Sequence, residues 1–226
     1  MTAPQVLLLG IGNLLWADEG FGVRVIEHLQ KHYRFPESVK VMDGGTQGVY
    51  LVEHVQAAEI LLVFDAVDYG LPPGTLKRIE NADVPNFLGA KKMSLHQTGF
   101  QEVLAMAQML GGYPRHLLLI GMQPVELEDF GGSLRPLTKT RIQPAIDLAL
   151  SYLQGFGINA ETVAAPGELS DPVMNIQRYE LERPSAEQAC RIGDERILQS
   201  PAFAVRPPQA AGRPGLQVDV DYRGKY

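Results

Sequence analysis

Short apolar runs alternating with amphipathic helical patterns constrain this chain more than any other feature. Residues 5–9, 39–42, 59–64 and 117–122 read as buried strands, and residues 75–79, half polar after Pro72-Pro73-Gly74, as an edge strand. Between them, residues 21–32 place Phe21, Val25, Ile26 and Leu29 on one helical face, and residues 97–110 do the same with Phe100, Val103, Leu104 and Ala107. Residues 49–55 read as a short helix and 144–156 as a closing one. Such alternation specifies an α/β fold of three layers, a mostly parallel sheet with helices on both faces. Right-handed crossovers then gather the C-terminal strand ends along one edge, where open α/β sheets bind their ligands.

The chain has 226 residues, enough for one substantial core with an appendage. The first 159 residues carry the periodic patterns. Residues 160–226 hold seven of the 16 prolines, show no sustained periodicity, and read as a largely irregular tail with one helix-compatible stretch at 186–198. A formal charge of −6 argues against nucleic acid as a partner. A single cysteine, Cys190, excludes an internal disulfide and any multi-cysteine metal site, and fits a reducing compartment. There is no signal-peptide core and no apolar stretch of membrane-spanning length. The expectation is a cytoplasmic protein, monomeric, with no membrane partner.

The turn after the first strand is the richest segment: Gly10-Ile-Gly-Asn-Leu-Leu-Trp-Ala-Asp-Glu-Gly-Phe-Gly22. It opens like a dinucleotide fingerprint, but Leu15 stands where the third glycine belongs. It also presents two carboxylates, Asp18 and Glu19, which repel phosphate and attract cations. Asp43 ends the second strand, Asp65 ends the third with Asp68 following, and His96 precedes the long helix. Glu, Asp and His form an oxygen and nitrogen donor set suited to a divalent cation such as zinc or nickel. Each also has an ordinary structural role: Asp43 and Asp65 as caps, His96 as a cap or core residue, Glu19 as a helix-dipole partner.

Other candidates are weaker. His28 and His32 lie one helical turn apart without the glutamate of a zincin motif, and read as a solvated helix face. No G-x-S-x-G elbow is present, and Cys190 falls in the irregular tail, which disfavours serine or cysteine nucleophiles. Lys91 and Lys92 read as a solvated loop or a docking patch for an acidic partner; Trp16 and Phe21 as core, or as a partner contact.

The turn, together with Asp43-Gly-Gly-Thr-Gln-Gly48, Phe64-Asp-Ala-Val-Asp-Tyr-Gly70 and Lys92-Met-Ser-Leu-His-Gln97, resembles the nickel–iron hydrogenase maturation endopeptidases in order and spacing over residues 5 to about 157. Gly131-Gly-Ser-Leu-Arg-Pro136 resembles the branch serving membrane-bound uptake hydrogenases. The resemblance implies a twisted five-stranded sheet flanked by helices. It implies an endopeptidase, conventionally classed as aspartic-type, that removes the C-terminal peptide of the hydrogenase large-subunit precursor after nickel insertion. It also implies Glu19, Asp65 and His96 as metal contacts and Asp43 as a further functional position.

The mechanism expected from this set engages nickel already in the substrate, with Asp43 or an unligated carboxylate as general base. A resident zinc or other divalent cation is the second enzymatic reading. A non-catalytic nickel-sensing chaperone of the large subunit is the alternative from another class, and a nucleotide-binding domain the most distant.

Overall fold

The computed structural model describes residues 3–88, 95–164 and 175–183, the side chains of residues 86–98 excepted. In chain order the elements are β1 (Val6–Ile11), α1 (Phe21–His32), β2 (Tyr33–Arg34), β3 (Val39–Gly45), α2 (Val52–Ala57), β4 (Ile60–Ala66) and β5 (Leu76–Glu80). There follow α3 (Asp83–Leu88), α4 (Leu95–Met109), β6 (His116–Met122), α5 (Pro136–Lys139), α6 (Ile142–Gln154), β7 (Glu161–Thr162) and α7 (Ile176–Glu182). Short 3-10 turns at Ala17–Gly20 and Gly48–Leu51 lead into α1 and α2.

The main sheet has the order β3-β1-β4-β6-β5. Its first four strands are parallel, and β5 pairs antiparallel with β6 at the edge. The half-polar run at 75–79 is therefore an edge strand, as its alternation requires. β2 and β7 form a separate antiparallel pair.

Alternation along the strands sorts the core into two layers. Val6, Leu8, Ile60, Leu62 and Phe64 pack against Phe21, Val25, Ile26 and Leu29 of α1 and Ile146, Ala149 and Leu153 of α6. Leu7, Leu9, Leu61, Val63, Leu117 and Leu119 pack against Leu51, Val52 and Val55 near α2 and Phe100, Val103, Leu104 and Ala107 of α4. β1 and β4 are buried along their whole length, which explains why they read as continuous apolar runs. No helix among the described residues is long and apolar enough to cross a membrane.

Two charged residues of α1, Arg24 and Glu27, are buried. Arg24 Nη1 lies 2.7 Å from Glu27 Oε2, and Lys31 Nζ donates to Glu27 Oε1 at 2.7 Å. The third donor to Glu27 is the backbone N–H of Ile176, at 3.1 Å, from the first residue of α7. Tyr179 of α7 places its ring under the Arg24 guanidinium, 5.5 Å from carbon to centroid. Asn175 caps the helix, its side-chain oxygen accepting from Gln177 N and Arg178 N.

The stretch after residue 160 thus contains a strand pairing and a docked helix that periodicity did not indicate. α7 buries none of its residues fully and so carries no apolar stripe to read; Ile176 packs against the core, and hydrogen bonds and ion pairs hold the rest. The helix-compatible stretch at 186–198 lies outside the described residues, as does Cys190.

Burial pushes the Glu27 carboxyl up, but the donors Lys31, Arg24 and Ile176 N–H outweigh it and hold the group below its ordinary 4.5. Replacing it, Glu27→Gln, should cost about 3 kcal/mol at neutral pH, because a buried cation loses its partner. In urea unfolding the deficit should stay constant above pH 4.5 and shrink as pH falls through the depressed folded-state value. A deficit independent of pH in that range would contradict the assignment.

Candidate active site

The turn between β1 and α1 is shaped by close backbone contacts. Gly12 has φ of 139°, and a Cβ there would stand 1.8 Å from the Glu19 carbonyl oxygen. At Gly22 a Cβ would meet the Phe64 carbonyl oxygen at 2.1 Å. These glycines let the start of α1 press onto β1 and β4. They serve packing, which is why the missing third glycine of a nucleotide fingerprint does not matter here.

Asp18 and Glu19 do not share a task, contrary to the expectation that the turn presents both carboxylates to one ligand. Asp18 is 0% exposed. Its Oδ2 accepts from Val125 N at 2.8 Å and Glu126 N at 3.1 Å, and its Oδ1 from Arg135 N at 2.8 Å. Its own N–H donates to Glu126 O. Asp18 therefore staples the loop after β6 to the turn. Trp16 and Phe130 reinforce it with an edge-on ring contact at 5.2 Å, and Gly131 N donates to Leu15 O. Glu19 is half-buried at the same sheet edge.

Asp43 and Asp65 stand on the strands either side of β1. Asp43 pairs in register with Gly10, as does Phe64, one residue before Asp65. Alternation puts them on opposite faces: Asp43 shares the phase of Val39 and Val41, packed on the α1 layer, and Asp65 that of Leu61 and Val63, packed on the α4 layer. Asp43 Oδ1 accepts from Gly45 N at 2.8 Å. Burial raises its carboxyl above the ordinary 3.8, opposed by that N–H and by the charge of Arg24.

Asp65 is 1% exposed and pairs in register with Gly121 of β6. Tyr69 lays its hydroxyl over Gly121, where a Cβ would come within 2.0 Å of it. Burial, with the charge of Asp65, pushes that phenol well above its usual range. The loop carrying Tyr69 is pinned by Gln123, whose Oε1 accepts from Tyr69 N and Leu71 N while its Nε2 donates to Asp68 Oδ1. Gln123 is not singled out from sequence, and Tyr69 enters there only as part of the motif at residues 64–70, with no role of its own.

His96 is the second residue of α4, the helix that covers the face on which Asp65 lies; its side chain falls outside the described residues, as do Lys91 and Lys92. Among the described residues no three His, Cys, Asp or Glu side chains cluster as a metal set by themselves. The rings of His28 and His32 lie tilted at 41° with centroids 4.4 Å apart, in the last turns of α1 and away from this edge.

Fold and edge together define an α/β protein with a mostly parallel sheet whose strand C-termini carry Asp43 and Asp65. The chain belongs to the hydrogenase maturation protease family, which it matches over residues 23–152. It is 62% identical over 215 residues to the hydrogenase expression/formation protein HupD of Thiocapsa roseopersicina, covering 92% of this chain and 97% of that one. The hydrogenase 2 maturation protease of Escherichia coli (strain K12) is 36% identical over 157 residues, 69% of this chain and 94% of that protein. The solved structure of the hydrogenase maturating endopeptidase HybD from E. coli is similar with a TM-score of 0.67 at 34% identity, over 70% of this chain and 97% of that one.

The division of labour in the turn is open to test by urea unfolding. Asp18→Asn keeps one acceptor oxygen for three backbone N–H groups and should cost about 3 kcal/mol. Glu19→Gln, at a half-buried position beside it, should cost less than Asp18→Asn. Equal losses would contradict a purely structural Asp18.

Proposed function

We propose that this protein removes the C-terminal peptide of a nickel–iron hydrogenase large-subunit precursor after nickel insertion, and that Glu19, Asp65 and His96 test for the nickel the precursor carries. Family membership supports the protease activity. The observation that carries the nickel reading is the placement of a half-buried Glu19 and a buried Asp65 at one sheet edge, with α4, the helix of His96, covering the face of Asp65. Carboxylate oxygens and an imidazole nitrogen suit a borderline divalent ion better than a purely oxygen-loving one. Nickel held by the precursor's own ligands is part of the substrate; zinc or another divalent cation is the alternative occupant.

In this reading Glu19, Asp65 and His96 orient the loaded precursor so that its scissile bond lies near Asp43. Metal in the substrate supplies a Lewis acid for the scissile carbonyl. Asp43 takes the proton of the attacking water, a role its raised carboxyl suits better than an unperturbed aspartate would. A pepsin-like dyad needs two carboxylates sharing a proton. The opposite phases of Asp43 and Asp65, with β1 between their strands, support separate roles instead.

The test follows precursor mass on incubation with nickel-loaded and metal-free large subunit. Cleavage of the loaded form alone is expected. Equal cleavage of both would overturn nickel recognition and favour a resident metal, and binding without mass loss would favour a chaperone. Glu19→Ala, Asp65→Ala and His96→Ala should each reduce processing to background; full activity in all three would overturn the site.

Asp43→Asn retains an oxygen for Gly45 N and should lower the cleavage rate about 100-fold or more. The wild-type rate should fall as pH drops through a value above 3.8, since the base must be ionised. Because ionising Asp43 in the fold costs stability, the variant should melt at the same temperature or higher at pH 7. A large loss of melting temperature would make Asp43 structural.

A further inference from the structure

α7 lies beyond residue 152, and several of its side chains reach one loop. Tyr179 donates its hydroxyl to Gly132 O at 3.1 Å. Glu180 Oε1 accepts from Ser133 Oγ and pairs with Lys139 Nζ. Arg183 Nη1 donates to Gly131 O at 3.3 Å. α7 is also anchored to the buried Glu27 through Ile176 N, and to Arg24 through the Tyr179 ring. Burial raises the Glu180 carboxyl, but its hydrogen bonds to Lys139 and Ser133 bring it below the ordinary value, as an ionised anchor requires.

The loop so held, residues 129–135, is the one that Asp18 staples from the other side through Arg135 N. It carries Phe130 against Trp16, two and three residues from Asp18 and Glu19. Leu15, Val125 and Phe130 stand 47%, 44% and 43% exposed around this turn. Leu15 lies four residues before Glu19, Val125 donates its N–H to Asp18 and Phe130 packs on Trp16, so the three give this turn an apolar wall that a docking polypeptide would cover. α7 reaches this edge through the loop, which meets the turn at Trp16 and Asp18.

We propose that α7 is a strap across the protease core, with Tyr179 and Glu180 as positioning residues that hold the 129–135 loop, and with it the Phe130 part of the wall, in place to receive the protein substrate. A wall fixed in advance spares the cost of ordering it on binding, and contributes equally to ground state and transition state. Its loss is therefore read in KM rather than kcat. The substrate role rests on the protease reading above; the strap itself does not.

Amide hydrogen exchange and steady-state cleavage of the nickel-loaded precursor test this on the full chain. In the double variant Tyr179→Ala, Glu180→Ala, exchange across 129–135 should rise about tenfold, as expected from losing one or two hydrogen bonds, with β1, β4 and β6 unchanged as internal reference. KM should rise severalfold with kcat within about twofold of wild type. Tyr179→Phe, which removes only the bond to Gly132, should give a smaller change of the same kind. Unchanged exchange at 129–135 would overturn the strap. Raised exchange with unchanged KM, or a fall confined to kcat, would overturn its role toward substrate. If the wild-type protein cleaves nothing, the protease reading fails while the exchange result still decides the strap.

Discussion

The backbone contact between α1 and the sheet at Gly22 is the constraint on which the rest of this structure depends. With no Cβ there, the first turn of α1 rests against the carbonyls of Ile11 and Phe64. That closeness seats Phe21, Val25, Ile26 and Leu29 in the core layer above β1 and β4. It also fixes the preceding turn, so Glu19 is delivered to the strand edge by a rigid segment rather than a loose loop. A side chain at Gly22 would lift the helix and unseat both the packing and the carboxylate.

Around that anchor, charged groups are sorted by what satisfies them. Asp18 faces inward onto three backbone N–H groups and closes the loop after β6. Arg24 and Glu27 satisfy each other inside the α1 layer and reach α7. Asp43 is held at one oxygen by Gly45 and lies partly buried, which leaves its carboxyl easier to protonate than usual. Glu19 and Asp65 stand at the strand C-terminal edge, one half-buried and the other buried.

Most of the fold was legible because β1, β4 and β6 are buried on both faces and read as unbroken apolar runs, while α1 and α4 show single apolar faces. The edge strand β5 was legible from its half-polar alternation. Sheet order was not, since register depends on which helices cover which face. The site was legible as a set of residue types at strand ends. Adjacency in sequence misled at Asp18 and Glu19, where one turn of 3-10 helix aims the two side chains differently. α7 was invisible because its docking uses Tyr179, Glu180 and Arg183 on backbone and side-chain partners distant in sequence, which leave no period.

Nickel X-ray absorption on the loaded precursor, alone and in complex with the Asp43→Asn protein, tests the central claim most directly. The account predicts that complex formation adds oxygen or nitrogen donors to the nickel, and that a further Glu19→Gln substitution reverses the change. A complex that forms with the nickel environment unaltered would contradict recognition of the metal through this site.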